Sequence, residues 1–296
     1  VRPRPCAGPF HFHRVIMILI TWNVQWCRGG DGRVDPARIA ATARALADFD
    51  VLCLQEVAVN FPGLKGSRGE DQPAELAAAL PGYQALFAPA TDFAGGQGRR
   101  SQFGNLILTR LPALQVFRHA LPWPPDAAVP SMARVALEAV LATPLGPLRV
   151  ITTHLEYYSA SIRMAQVHAL RCLHDEACAH AHAPRPDGDP GEPFAVQPRP
   201  VSAIVCGDLN FKPEDPEHAQ MRAPFPTGAP AFVDAWQSAH PGQPHPPTVG
   251  VHDKSWPLYC CDFAFVTEAL AGRIRGMGVE AGTDVSDHQP LVVAFA

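Results

Sequence analysis

Ala203-Ile204-Val205-Cys206-Gly207-Asp208-Leu209-Asn210 sets a short apolar run against a polar end. The run suits a buried strand and is too short for a helix, so the chain reaches the edge of the interior at Gly207 and delivers Asp208 there. In an extended chain the two-residue step puts Asp208 and Asn210 on one side and turns Leu209 toward the core. The same pattern recurs on both sides: Met17–Trp22 before Asn23, Val51–Leu54 before Gln55 and Glu56, Leu106–Leu108 before Thr109, Leu148–Ile151 before Thr152 to His154, then Phe263–Val266 and Leu291–Phe295. Helices fall between some of these runs. Asp35-Pro36 supplies an N-cap and a proline at the first helical position, with Ile39, Ala43, Leu46 and Ala47 on one face. A second helix follows Asp71-Gln72-Pro73, and a third starts at Ser159 or Ser161 and runs to about Ala179. Strands this short and numerous predict two packed sheets with helices outside, an α/β sandwich.

Composition narrows the classes. The chain has 296 residues, 47% hydrophobic and 18% charged, which excludes disordered and fibrous proteins. Its formal charge is 24 − 28 = −4, and no block of like charges forms a nucleic-acid tail. A broadly basic DNA-coating surface is therefore not expected, although a local basic patch such as Arg99-Arg100 with Arg68 stays open. No apolar run reaches the roughly 18 residues of a membrane span, and Val15–Ile20 is shorter than the roughly 7–15 residues of a signal-peptide core. The eight cysteines are not spaced as a disulfide framework, so reduced thiols and a cytoplasmic location are expected. Residues 1–14, with three prolines and no apolar period, read as a disordered N-terminal extension; Met17 is a candidate true start, and residues 15–296 read as one domain. The Pro- and Gly-dense stretches 184–200 and 241–257 read as surface loops, because candidate ligands on both sides of each must converge.

Singly, each polar strand end is a turn or cap residue. Together, Asn23, Glu56, His154, Asp208, Asn210, Asp262, Asp287 and His288 form a set rich in hard oxygen donors and amides, the types a Mg²⁺ site uses while leaving positions for water and phosphate. Carboxylates gathered at one edge repel one another, and a divalent cation neutralises them. A competing set, His168, Cys172, His174, Cys178, His180 and His182, has soft-metal ligand types. At about 100° per residue, however, one helix cannot converge His168 and Cys172 with His174 and Cys178. These residues read as scattered over a helix.

The chain resembles the endonuclease/exonuclease/phosphatase superfamily of metal-dependent phosphoester hydrolases. The resemblance rests on Thr21-Trp22-Asn23, Leu54-Gln55-Glu56-Val57, Gly104-Asn105-Leu106-Ile107-Leu108, Thr152-Thr153-His154-Leu155, Gly207-Asp208-Leu209-Asn210, Asp262-Phe263-Ala264-Phe265 and Ser286-Asp287-His288-Gln289-Pro290, in order from Met17 to Ala296. It implies a four-layer α/β sandwich, two central sheets face to face with helices outside. It also implies Mg²⁺ or Mn²⁺ on Glu56, with Asn23 beside it and Asp287 near the metal. Asp208 would position or deprotonate the attacking water, and Asn210 would orient that water or hold a phosphoryl oxygen. His288 would act on the phosphate with Asp262 fixing its tautomer, and His154 would be a second donor. Asn105 either reaches the substrate phosphate or bonds the backbone at its strand start. Arg163 either meets substrate or is solvated, and Gln55, next to Glu56, points the other way and takes a structural role. Many family members carry a basic-apolar-acidic triplet where this chain has Cys260-Cys261-Asp262, so any contact of the missing basic residue is lost. The favoured activity is that of a nuclease or phosphodiesterase, and the expected partner is a phosphoester, nucleic acid included. A small-molecule or lipid-headgroup ester is the alternative, and a non-catalytic binding module, which would have lost metal and water residues, is the third reading. Oligomeric state is not legible.

Overall fold

The computed structural model describes residues 10, 16–183, 186–189, 191–253 and 257–296. The chain order is β1 (Met17–Asn23), α1 (Pro36–Leu46), β2 (Val51–Val59), α2 (Gln72–Ala79), β3 (Gln84–Ala94), β4 (Arg100–Thr109), β5 (Ala113–Ala120), β6 (Val135–Thr143), β7 (Gly146–His154), α3 (Ala160–His182), β8 (Ala203–Asp208), α4 (Pro216–Arg222), β9 (Phe232–Asp234), α5 (Ala235–Ala239), β10 (Asp262–Thr267), α6 (Glu268–Ala271), β11 (Ile274–Val279) and β12 (Leu291–Phe295). The helix starts follow the caps: Asp35 accepts from the Arg38 amide, Asp71 from Ala74 and Ser159 from Ile162. Of the segment expected to be an extension, only Phe10 is described, and its amide donates to the Leu46 carbonyl at 2.9 Å. The rest of that segment lies outside the described residues.

The strands form two six-stranded mixed sheets, ordered β11-β12-β1-β2-β4-β3 and β5-β6-β7-β8-β10-β9. Alternation along the strands feeds three apolar layers. Met17, Leu19, Cys53 and Ile107 of the first sheet meet Leu137, Val150, Ile204 and Cys206 of the second. Ile39, Ala43 and Leu46 of α1 cover Leu52, Leu54 and Leu106, while Val167 and Leu170 of α3 cover Ala136, Ile151 and Val205. The result is the four-layer α/β sandwich, each fully buried Leu, Val or Ile contributing about 1.5–3 kcal/mol. Among the described residues no helix is long and apolar enough to cross a membrane.

Each sheet has one parallel strand pair at its centre, joined through a helix: β1-α1-β2 and β7-α3-β8. Parallel strands release their C-terminal residues on the same edge, and that edge is where α/β folds bind ligands. Asn23 stands level with Gln55 in the first sheet, and His154 with Asp208 in the second. The antiparallel β10 begins opposite Asp208, placing Asp262 beside it.

The histidines and cysteines of α3 do scatter. His168 and Cys172 are exposed, whereas His174 is buried and bonded to Arg149 and to the Pro230 carbonyl.

Candidate active site

The first sheet contributes carboxylates through irregular backbone. β2 does not stop at Leu54 but continues to Val59, with a bulge against β4 between Leu54 and Val57. Glu56 sits in that bulge at φ 60°, a left-handed conformation that re-aims its side chain out of the strand. Gln55 stays in the regular pleat and enters the space between the sheets, donating to Thr21 Oγ1 at 3.2 Å and Thr152 Oγ1 at 2.8 Å. After β1 the chain makes a turn in which Gln25, Trp26 and Cys27 have φ of 46°, 44° and 59°. Left-handed backbone costs roughly 1–2 kcal/mol per non-glycine residue. Here it brings Gln25 Nε2 to 2.5 Å from Asp287 Oδ2. Ser286 Oγ donates to the Asn23 carbonyl at 2.7 Å, which fixes the loop carrying Asp287 and His288.

The second sheet contributes Asp208, at the end of β8, and Asp262, at the start of β10. Gly207 has φ 136°, and a Cβ there would lie 2.0 Å from the Thr153 carbonyl oxygen, so only glycine lets β8 approach β7 this closely. The strand ends at Asp208, and Asn210 turns left-handed at φ 53°. The extended geometry expected across these residues therefore does not hold, yet Asp208 and Asn210 still border one cavity and Leu209 is fully buried. Asp262 Oδ2 accepts from Thr248 Oγ1 at 2.6 Å and lies 2.8 Å from His288 Nδ1. His288 thus belongs to a loop of the first sheet and is held by a strand of the second.

Asn23 joins the halves. Its Nδ2 donates to Glu56 Oε1 at 3.1 Å and Asp208 Oδ2 at 2.9 Å, while its Oδ1 accepts from the Gln25 amide at 3.1 Å. In this orientation it bridges the two carboxylates, and its oxygen serves the turn. Burial pushes Glu56 up to about 7, with Asp287 adding repulsion. Burial also raises Asp208 above the carboxylate range, against the pull of His288. Burial alone would lower His288, but the Asp262 and Asp208 carboxylates outweigh it and hold the imidazolium well above its ordinary value. His154 goes the other way: burial, then Arg134 and His288, keep it neutral. Its Nε2 is 3.5 Å from Asp208 Oδ2, and its buried Nδ1 has no hydrogen-bond partner. Desolvated carboxylates and an unused imidazole nitrogen are what a cation and a phosphate would satisfy, and the donor set of Glu56 and Asp287 fits a hard divalent ion.

The cavity at this edge has a volume of about 630 Å³. Glu56, His154, Asp208, Asn210, Asp287 and His288 line it, with Asn23 and Asp262 directly behind. Two expected substrate contacts are placed elsewhere. Asn105 donates to the Val135 carbonyl at 2.8 Å and ties β4 to β6, taking the backbone alternative. Arg163 spends its guanidinium on Glu217 and on the carbonyls of Glu156 and Tyr157, so it is neither solvated nor at the cavity but clamps the loop after β7. Sequence reasoning missed Gln25, Arg28, Arg134, Tyr157, Tyr158 and Tyr259 in the lining, and Thr248 behind it. Neither Arg134 nor Thr248 carries a readable signal: the strand that follows Arg134 is rich in helix formers, and Thr248 lies in a Pro-rich loop.

The sequence profile of the Endonuclease/Exonuclease/phosphatase family matches residues 20–288. No curated protein matches the sequence. Among solved structures, an endonuclease/exonuclease/phosphatase from Beutenbergia cavernae DSM 12333 is 25% identical at a TM-score of 0.64, with 95% of this chain and 71% of that one covered. A mannosyl-6-phosphatase from Bacteroides thetaiotaomicron VPI-5482 is 16% identical at a TM-score of 0.64, covering 95% and 99%. The human Nocturnin catalytic domain with bound sulfate is 18% identical at 0.61, covering 100% and 99%. The last two share the fold.

Proposed function

Since the chain belongs to the endonuclease/exonuclease/phosphatase family, whose members hydrolyse phosphoesters, we propose that it is a divalent-metal-dependent phosphodiesterase acting on a compact ester. The observation that carries this reading is the Glu56–Asn23–Asp208 bridge, which sets a metal-type carboxylate beside an acid/base pair at one cavity. Glu56 and Asp287 would hold Mg²⁺ or Mn²⁺, which when bound supplies positive charge to the non-bridging phosphoryl oxygens. Asp208, made more basic by burial, takes a proton from the attacking water. His288 donates through Nε2 where charge accumulates, with Asp262 on Nδ1 fixing its orientation. His154, neutral and with Nδ1 free, adds a hydrogen bond to the phosphate.

The lining favours a compact ester over a polynucleotide. Its cations are Arg28, Arg134 and the His288 imidazolium, against the acids Glu56, Asp208, Asp253, Asp284 and Asp287, which is the wrong balance for tracking a phosphate backbone. Tyr157 and Tyr158, 39% and 58% exposed, offer the rim an aromatic surface for a base or sugar face. The nuclease reading keeps one support, since the same aromatic rim can stack a single-stranded end.

The test is hydrolysis by wild type and Glu56→Ala with Mg²⁺, with Mn²⁺ and with EDTA. The panel holds a chromogenic diester, a chromogenic monoester, plasmid DNA, an abasic-site duplex, single-stranded RNA and sphingomyelin. Metal-dependent turnover of the chromogenic diester, lost in folded Glu56→Ala, is expected. Preference for a nucleic acid would replace the compact-ester reading with the nuclease, and full activity of Glu56→Ala would overturn the site.

A further inference from the structure

A second convergence of metal-ligand types lies away from the catalytic cavity. His218 comes from α4, Asp234 from the junction of β9 and α5, and His245 from the loop after α5. Their ligand atoms all lie within 4.8 Å of one another. Asp234 divides its oxygens. Oδ1 caps α5, accepting from the amides of Trp236 at 2.8 Å and Gln237 at 3.3 Å. Oδ2 is aimed inward and meets His218 Nε2 and His245 Nε2, each at 2.8 Å. All three side chains are buried, at 1%, 1% and 6% exposure.

We propose that His218, Asp234 and His245 form a structural Zn²⁺ site. Two imidazoles and one carboxylate from three separate elements are a donor set that Zn²⁺ accepts, and neutral imidazole suits this borderline-soft ion better than it suits Mg²⁺. Bonds of about 2.0–2.2 Å in a tetrahedron separate ligand atoms by roughly 3.3 Å. The N–O distances of 2.8 Å therefore need to open by only a few tenths of an ångström. Coordination through Nε2 moves each ring proton to Nδ1. His218 Nδ1 makes no hydrogen bond, so that tautomer change breaks none there, although it leaves a buried N–H without an acceptor, a cost that the bond to the ion has to outweigh. A cavity of about 10 Å³ beside Asp234 and His245, bordered also by Thr248, Cys260 and Asp262, has the size of one water, which would serve as the fourth ligand. The ion ties down the loop that leads from His245 to Thr248, whose hydroxyl holds Asp262 on His288. It thereby stiffens the acid/base pair without touching substrate.

The experiment uses the full chain carrying Glu56→Gln and Asp287→Asn, so that the catalytic carboxylates do not compete. Chelator-treated protein is titrated with Co²⁺ and then Zn²⁺, following the visible bands of tetrahedral Co²⁺ and the melting temperature. One equivalent per chain is expected, with tetrahedral bands that Zn²⁺ abolishes and a melting temperature that rises with Zn²⁺. His245→Asn should weaken binding at least tenfold, and Asp234→Asn, which keeps the helix cap oxygen, should do the same. Absence of the bands, or binding indifferent to both substitutions, overturns the site. Should neither variant fold, anomalous scattering at the zinc edge from Zn²⁺-loaded wild-type crystals decides: a peak among these three residues supports the site, and its absence refutes it.

Discussion

Glu138 is the buried acid on which the outer face of the second sheet depends. On β6, 1% exposed, it faces the Arg149 guanidinium at 3.8 Å, pairs with Arg199 and sits 3.0 Å from His119 Nε2. Arg149 is fully buried, and its Nε and one terminal nitrogen have no hydrogen-bond partner. Glu138→Gln keeps the volume and removes the charge, leaving Arg149 without an acid partner. Breaking a buried pair this way costs about 3–5 kcal/mol. At roughly 2–4 °C per kcal/mol the melting temperature should fall by about 6–20 °C. Burial pushes Glu138 up, but His119, Arg149 and Arg199 outweigh it, so its folded pKa lies below the ordinary value. A depressed folded pKa contributes stability that is complete above the unfolded value of about 4.3 and is lost as pH falls through the folded one. Urea denaturation of wild type and variant should therefore show the full gap at pH 7 and a shrinking gap below about pH 4.3. Glu138→Leu combined with Arg149→Met should recover part of the loss and no more, because the buried Arg149 charge goes with its partner while Arg199 and His119 stay without the acid. A gap under about 1 kcal/mol at pH 7, or one that does not close in acid, would refute the reasoning.

Three further outcomes follow from the geometry. Gly207→Ala places a methyl 2.0 Å from the Thr153 carbonyl at φ 136°, and a loss of at least about 3 kcal/mol in urea denaturation is expected. Asp262→Asn should lower kcat by roughly 10²–10⁴-fold with circular dichroism unchanged, since His288 loses the carboxylate that orients it; wild-type kcat would remove Asp262 from the mechanism. Tyr158→Ala should raise KM by roughly 5- to 150-fold with little change in kcat if the rim stacks on substrate, a contribution of about 1–3 kcal/mol. An unchanged KM would place the ester elsewhere in the cavity.

The parts legible in the sequence are those set by local rules. The caps at Asp35, Asp71 and Ser159, and apolar runs such as Ala203–Cys206, announce their elements because capping and burial act over a few residues. β6 was illegible for the opposite reason. Val-Ala-Leu-Glu-Ala-Val-Leu-Ala is rich in helix formers, and only its neighbours on both sides make it a central strand. β3 and β5 sit at sheet edges, where partial exposure blurs the alternation. Within the site, residues at strand ends could be gathered from pattern and resemblance. The bulge at Glu56 and the left-handed turn at Gln25–Cys27 could not, because their strain is offset by contacts distant in sequence. Asn105 and Arg163 belong to the same class, since whether an amide or a guanidinium faces solvent, ligand or backbone depends on which carbonyls the fold brings within reach.

The division of the cavity between two sheets has a mechanical consequence. Glu56 and Asp287 ride on one slab, Asp208, His154 and Asp262 on the other, and the Asn23 amide, the Gln55–Thr152 bond, the Asn105–Val135 bond and the His288–Asp262 bond cross the gap near the site. Through the core the spacing of the slabs is set by the girth of side chains such as Ile107, Leu137 and Ile204. The sandwich works as a calliper whose jaws carry the reacting groups, and its setting lies in the apolar filling far from them. Trimming or adding a methyl group deep in that filling is a way to adjust the gap between the two sets of cavity residues, with every residue at the cavity wall left in place.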